Sequence, residues 1–357
     1  MSASGPPRLR RSIGFVGLTA ATVALSSIAC APPDAAPARA HIVERSRLAM
    51  GSELRFTAWT TDEAAAVSAF EAAFADFERL DALMSVWREG SDVQRLNAAA
   101  GRQPTPVSAD VREVLRVARQ VSDWTGGKFD VTFGALSGLW KFDHDQDNRL
   151  PDPQEVGRYL SLIDYGAVDV NERAGTVFLR REGMRVHLGG IGKGYAVDRA
   201  VDTLRRRGLS DFMIQTGGDM YVMGRRGERP WRVGMRDPRG PADRSYAALD
   251  LSEGAISTSG DYERFFMKEG RRYHHILDPD SGEPARGCRS VTIVTGRATL
   301  ADGLATGVFV LGPGPGMALI ERLPGVEGVI VTDENEVLIS SGLKDRLMVA
   351  GSPTDAP

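Results

Sequence analysis

The stretch His187-Leu188-Gly189-Gly190-Ile191-Gly192-Lys193-Gly194-Tyr195 decides how this chain of 357 residues is read. It ends a short apolar run, residues 185–188, that reads as a strand, and it opens an amphipathic run, residues 194–207, with helical spacing. The glycines of the turn free the backbone to approach a ligand closely. Amides at a helix start point outward and carry partial positive charge, which suits an anion, and Lys193 adds a full charge at the same place. Purely structural tight turns have the same composition, and this one has neither the spacing of a Walker loop nor that of a dinucleotide fingerprint. Its meaning depends on its surroundings.

Working outward, Ser52–Thr60 alternates as a strand does, and residues 62–84 carry Val67, Phe70, Phe74, Phe77 and Leu80 at helical spacing. A second amphipathic helix is predicted over 109–124, with Val111, Val114, Leu115, Ala118 and Val121 on one stripe. Residues 141–153, rich in Asp, Asn, Gln and Pro, read as a loop. Asp143, Asp145 and Asp147 alternate there, but the glycine and closing glutamate of a calcium loop are missing. Short apolar runs at 176–179, 212–215, 220–223, 246–251, 290–294, 328–331 and 337–339 read as strands, with a helix over 301–311 among them. The class is α+β, mixed, with largely antiparallel sheets and packed helices. A net charge of −3 with arginines scattered among acids leaves no electrostatic footprint for nucleic acid.

The amino terminus is built differently. Arg8, Arg10 and Arg11 precede an apolar run over 13–24 and a small-residue end at Ser26-Ser27-Ile28-Ala29-Cys30, the pattern of an export signal. The apolar run is shorter than a membrane-spanning helix requires. Cys30 after Ala29 resembles the acylated cysteine of a bacterial lipoprotein, although Ser27 stands where leucine is usual; plain cleavage nearby is the alternative. Residues 31–40, rich in alanine and proline, then read as a tether to a single domain over 41–350 on the periplasmic side of a membrane. With Cys30 as anchor only Cys288 remains, so no internal disulfide is expected.

Eight short motifs run in order through that domain: Met50-Gly51-Ser52, Met84-Ser85-Val86-Trp87, Gly127-Lys128-Phe129-Asp130-Val131-Thr132, the glycine-lysine turn, Gly217-Gly218-Asp219, Ser257-Thr258-Ser259-Gly260-Asp261-Tyr262-Glu263, His274-His275-Ile276-Leu277-Asp278-Pro279 and Ala301-Asp302-Gly303-Leu304-Ala305-Thr306. Together they resemble the ApbE family of FAD:protein FMN transferases. The resemblance implies a T-fold-like architecture and a magnesium-dependent enzyme that splits FAD at its pyrophosphate. It would release AMP and esterify FMN to a threonine or serine of an exported redox protein. By the same resemblance Asp302, Thr306 and the backbone oxygens of Gly190 and Ala305 match the Mg2+ positions; Asp302, Ala305 and Thr306 share one face of the predicted helix. Flavin binding is carried onto Met50, Trp87, Lys128, Phe129, Asp130, His187, Lys193 and Ile276, with Trp87 and Phe129 against aromatic rings and Lys193 near the phosphates.

An attacking hydroxyl must lose a proton, and imidazole is the usual acceptor near neutral pH. His275 occupies the family's histidine and is the candidate base, while His274 faces the other way on a strand and reads as structural. One departure stands out: His187 opens the turn where most members have aspartate. Hydrolysis of FAD with water as acceptor, and a non-catalytic flavin-binding lipoprotein, are the competing readings.

Overall fold

Apolar residues at alternate positions of a strand and at every third or fourth position of the helix after it meet in the first layer of the fold. In the computed structural model, which describes Gly14 and residues 39–142 and 145–356, β1 (His41–Ala49) and β2 (Ser52–Thr60) form a hairpin. Helix α1 (Glu63–Met84) lays its buried face on this hairpin, started by the Asp62 carboxylate, which accepts the Ala65 amide. Phe56 lies among Phe70, Phe74 and Phe77, with ring centroids 4.7 to 6.2 Å apart. Truncating such a buried ring costs ~3–5 kcal/mol.

Next come α2 (Asp92–Ala98), β3 (Thr105–Pro106) and α3 (Ala109–Thr125). Ser108 caps α3 through the Val111 amide, and Gly126, with φ +61°, ends it in a conformation that suits glycine. After α4 (Pro153–Leu160), strands β4 (Val168–Asn171) and β5 (Thr176–Leu179) join β3 in a small sheet.

The run 185–188 does not become a ladder strand. Phe133 and Arg185 make one isolated parallel bridge, the Val186 amide goes to the Asn97 side chain at 2.7 Å, and the His187 amide goes to the Val131 carbonyl at 2.8 Å. Its amides are satisfied by one side chain and one loop, so the segment enters the turn without a strand partner on each side.

Helix α5 (Gly192–Arg206) leads to β6 (Phe212–Thr216), β7 (Asp219–Met223), β8 (Arg225–Arg226), β9 (Arg229–Arg236), β10 (Ser245–Leu251) and β11 (Glu253–Gly260). A second hairpin, β12 (Phe265–Lys268) and β13 (Arg271–His274), precedes β14 (Cys288–Thr295), α6 (Ala298–Leu311) and α7 (Pro313–Arg322). The chain finishes with β15 (Glu327–Thr332), β16 (Val337–Ile339) and β17 (Leu347–Val349).

Among the described residues the main sheet has eight strands in the order β1-β2-β6-β7-β11-β14-β15-β16, every neighbouring pair antiparallel. Its helical side is the principal core, where α1, α3, α5 and α6 bury their apolar stripes. On the opposite face, Val222, Ile256, Val294 and Val329 pack against Trp231, Tyr246 and Leu249 of the four-stranded sheet β17-β10-β9-β8. A third cluster ties the β12–β13 hairpin to the segment after α3, with Trp140, Phe142, Phe266 and Tyr273 stacked in sequence.

The packed body continues beyond residue 350: Thr354 donates its amide and hydroxyl to the fully buried Asp237. Cys288 is a buried free thiol. No described helix is long and apolar enough to cross a membrane. The export signal, Cys30, nearly all of the tether and Asp143 lie outside the described residues.

Candidate active site

The first turn of α5 and that of α6 are held together by carboxylates exchanged between the helices. Asp302, in the second turn of α6, accepts the Gly194 amide at 2.9 Å. Asp198 of α5 returns the arrangement, accepting the Ala298 and Thr299 amides at 2.8 and 3.0 Å and the Thr299 hydroxyl at 2.5 Å. This is why α6 begins at Ala298, one turn before the apolar stripe visible in the sequence. Gly194 permits the approach, because a Cβ there would collide with the Ala298 carbonyl oxygen and the Asp302 Cβ. Each helix start thus receives from its neighbour the side-chain acceptor that its own cap residue, Ile191 or Arg297, does not supply.

Lys193 lies in this first turn and points inward. Its Nζ donates to Asp219 Oδ2 at 2.6 Å, and Asp219 Oδ1 accepts the Ser257 hydroxyl at 2.6 Å. The pairing follows from sheet register, since Asp219 of β7 stands opposite Ser257 of β11. Gly217, at φ +56°, turns the chain so that its Cβ position lies 3.1 Å from Ser52 Oγ and 3.5 Å from Lys193 Nζ. Burial pulls the Lys193 ammonium toward its neutral form, but Asp219 and Asp302 outweigh it and raise its basicity. Burial and the nearby Asp219 hold the Asp302 carboxyl well above the usual carboxylate range, against the opposing pull of Lys193 and the Gly194 amide.

One turn after Asp302, the Thr306 hydroxyl lies 3.1 Å from Ser259 Oγ. Gly190 closes over it: a Cβ on Gly190 would be 3.4 Å from both Thr306 Oγ1 and Phe129 Cε2. Gly190, Asp302, Ala305 and Thr306 are therefore gathered at one corner, offering a carboxylate, a hydroxyl and backbone oxygens. No group of three or more His, Cys, Asp or Glu suited to a metal occurs among the described residues. A hard-oxygen set with one carboxylate fits Mg2+, which keeps positions open for water and substrate phosphate, better than a closed protein cage would.

His274 is buried at the end of β13, with Nε2 3.0 Å from the Ala285 carbonyl and Nδ1 accepting the Ile276 amide at 3.3 Å. Both nitrogens serve the fold, and burial lowers the ring's pKa to about 4. His275 differs: its Nδ1 is buried with no hydrogen-bond partner among the described residues. Burial, then the Arg264 guanidinium and His274, push its pKa down to about 3, with Lys193 adding in the same direction. The imidazole is thus neutral and carries an unused polar atom.

The residues assigned to flavin divide into two groups. Trp87 is 56% exposed, Met50 sits at φ +47° in the β1–β2 turn, and Phe129 and Ile276 are buried. All four offer apolar surface. Lys128 and Asp130 hold structure as well. Lys128 Nζ bridges Asp278 and Asp280 at 2.8 and 2.9 Å. Asp130 accepts the Thr132 and Tyr165 amides and the Thr132 hydroxyl, and burial raises its pKa despite them.

His187 Nδ1 accepts the Gly189 amide at 3.1 Å, and the ring packs 5.4 Å from Phe133. The histidine therefore acts here as an acceptor, the role an aspartate would have in the turn. A Cβ on Gly189 would lie 2.7 Å from His187 Cε1, so a larger residue there would displace the ring.

Asp219, Ser257, Ser259, Asp198 and Arg264 had no role assigned from sequence. The motifs contain Asp219, Ser257 and Ser259, but only sheet register and helix crossing reveal their partners. Arg264 directly follows Glu263, one position beyond the Ser257–Glu263 motif.

A half-buried lysine, carboxylates and hydroxyls at a helix start, with a neutral imidazole in electrostatic reach, form the working parts of a phosphoryl-transfer centre. The ApbE family profile matches residues 50–330. FAD:protein FMN transferase of Treponema pallidum (strain Nichols) is 33% identical, over 87% of this chain and 90% of its own length. A second FAD:protein FMN transferase, from Klebsiella pneumoniae (strain 342), is 31% identical over 88% and 96%. The crystal structure of the ApbE protein from Thermotoga maritima superimposes with a TM-score of 0.79 at 32% identity, covering 86% of this chain and 99% of that one. The flavin transferase ApbE from Vibrio cholerae gives 0.77 at 27%, with the same coverages. The chain belongs to the ApbE family.

Proposed function

We propose that this protein is an FAD:protein FMN transferase that attaches FMN to a threonine or serine of an exported redox protein and releases AMP. It would work at the periplasmic side of a membrane, anchored through an acylated Cys30. The observation that carries the reading is the joining of Lys193, Asp219, Asp302 and Thr306 at the start of α5, with the unpartnered Nδ1 of His275 in electrostatic reach.

The chemistry follows from those groups. The acceptor hydroxyl oxygen bonds to the FMN phosphorus, its proton passes to His275, and the bond to the bridging oxygen breaks with its electron pair on AMP. A neutral His275 can take that proton, although a pKa of about 3 makes it a weak base before substrate arrives. The negative charge of a bound pyrophosphate raises its basicity, so the base is tuned by the substrate it serves. Lys193, fixed by Asp219, orients the phosphates without swinging away. Mg2+, held by Asp302, Thr306 and the Gly190 and Ala305 oxygens, would supply charge neutralisation at the pyrophosphate.

The test incubates the protein with FAD, Mg2+ and a threonine-containing acceptor and weighs the acceptor. An added FMN mass, lost in His275→Ala while FAD still binds, is the expected result. AMP release without an adduct would make the protein a hydrolase, and bound FAD that never turns over would make it a flavin carrier.

A further inference from the structure

The hairpin that carries His275 also carries a charged neighbour that the assigned site residues do not include. Phe265 of β12 pairs with His274 of β13, so in this antiparallel register Arg264 stands opposite His275. The His275 amide donates to the Arg264 carbonyl at 3.1 Å, which fixes the two residues at one rung. Residues opposite each other on an antiparallel pair project to the same face. The Arg264 side chain therefore leaves the hairpin beside the imidazole, while His274 turns into the core.

We propose that Arg264 is a second catalytic residue, the guanidinium that receives the negative charge developing on the AMP phosphate as its bond to FMN breaks. The proposal rests on the transferase reading. Three features support it beyond the register. First, the Lys193 ammonium is tied to Asp219 at 2.6 Å, so it stays at the helix start and does not follow a departing phosphate. The charge that this phosphate gains as its bond breaks adds to what Lys193 and a bound Mg2+ would meet in the intact pyrophosphate, and Arg264 offers a donor for it. Second, Arg264 acts electrostatically on both His275 and Lys193, lowering the basicity of each, so its charge lies within reach of the proton acceptor and of the phosphate-orienting ammonium. Third, Arg264 is exposed, whereas Lys193 is half-buried, so the guanidinium stands at the solvent side of the lysine. A planar guanidinium offers paired N–H donors to a phosphate, a geometry that lysine cannot reproduce.

The balance of the step is complete. The acceptor oxygen to phosphorus bond forms and the phosphorus to bridging oxygen bond breaks. The proton moves to His275, and the electron pair stays on AMP, where Arg264 meets it.

The experiment compares Arg264→Ala and Arg264→Lys with wild type in the full chain. It measures AMP and adenosine binding by calorimetry alongside FMN transfer under saturating FAD. In Arg264→Ala, AMP binding should weaken ~10-fold and the transfer rate should fall ~100-fold, the scale of losing one charge-stabilising donor. Adenosine binding should not change. Arg264→Lys should recover part of the AMP affinity and less of the rate. Equal losses for AMP and adenosine, or AMP affinity and rate both within twofold of wild type, would overturn the proposal. A wild-type protein that transfers no FMN would defeat the functional reading alone, because the AMP and adenosine comparison still decides whether Arg264 reads phosphate. Because the side chain is exposed, an unchanged melting temperature separates its effect from misfolding.

Discussion

The Asp302 carboxylate accepts the amide of Gly194 across 108 positions of sequence, joining the residue proposed to hold metal to the helix start proposed to face the pyrophosphate. Any change in the crossing of α5 and α6 moves both at once. The most direct probe is Gly194→Ala, whose methyl meets the Ala298 carbonyl and the Asp302 Cβ. Overpacking of this kind costs ~1–3 kcal/mol. Urea denaturation should show that loss, with FAD affinity falling in parallel; a variant as stable as wild type would mean that the two helices can separate freely.

Removing the reciprocal contact should act on stability. Asp198→Ala leaves the Ala298 and Thr299 amides without their carboxylate. The expected cost is ~1–2 kcal/mol, the upper part of the range for a lost cap. Thermal melts of Asp198→Asn, which keeps an acceptor, should lie between those of Asp198→Ala and wild type.

His275 should be neutral in the substrate-free protein throughout the physiological range, with its proton taken up only near pH 3. The folded-state value lies below the unfolded reference of 6.5, so the unfolded chain binds the proton first. Stability linked to this group is complete above the unfolded value and is lost as pH falls from there toward 3. NMR titration of the ring should show this, and bound FAD should move the transition upward. A ring that titrates near 6.5 in the free protein would contradict the burial argument.

Asp302 shifts the opposite way. A buried carboxyl with raised pKa holds its proton in the folded state after the unfolded chain has released it, so its burial costs increasing stability as pH rises above the unfolded value. Asp302→Asn should therefore melt no lower than wild type in EDTA, while losing ~100-fold or more in Mg2+-dependent transfer. Chelation of wild type should abolish transfer and added Mg2+ should restore it. Transfer that survives EDTA would remove the metal from the reading.

Asp237 collects the Arg239, Gly240 and Thr354 amides and the Thr354 hydroxyl. Arg239 then forms a paired contact with Asp261 at 2.7 Å. Thr354→Val, which keeps shape and loses the hydroxyl, should cost ~1–3 kcal/mol by leaving a buried acceptor short. Thr354→Ser should recover most of it in the same melt.

Periodicity alone was enough to identify β2, α1 and α3, because Phe56, Phe70 and Val114 lie on patterns set by residues a few positions away. The same local reasoning marked residues 185–188 as a strand, since apolar content is visible in sequence and the absence of two neighbouring strands is not. It placed the start of the helix carrying Asp302 one turn late because the signal for that start, Asp198, belongs to another helix. The eight motifs identified the family and brought Lys193, Asp302, Thr306 and His275 into view as residue types.

The glycine-lysine turn, with Gly192, Lys193 and Gly194, was legible in the sequence as a helix start suited to an anion. The tertiary structure alone decided that Lys193 is matched by Asp219, that Lys128 bridges Asp278 and Asp280, and that Arg264 stands beside His275. The physical reason is one of range. Helix and strand periodicities report interactions over a few residues, whereas partners of buried charges are set by strand order, register and helix crossing, which bring together groups with no local pattern in common.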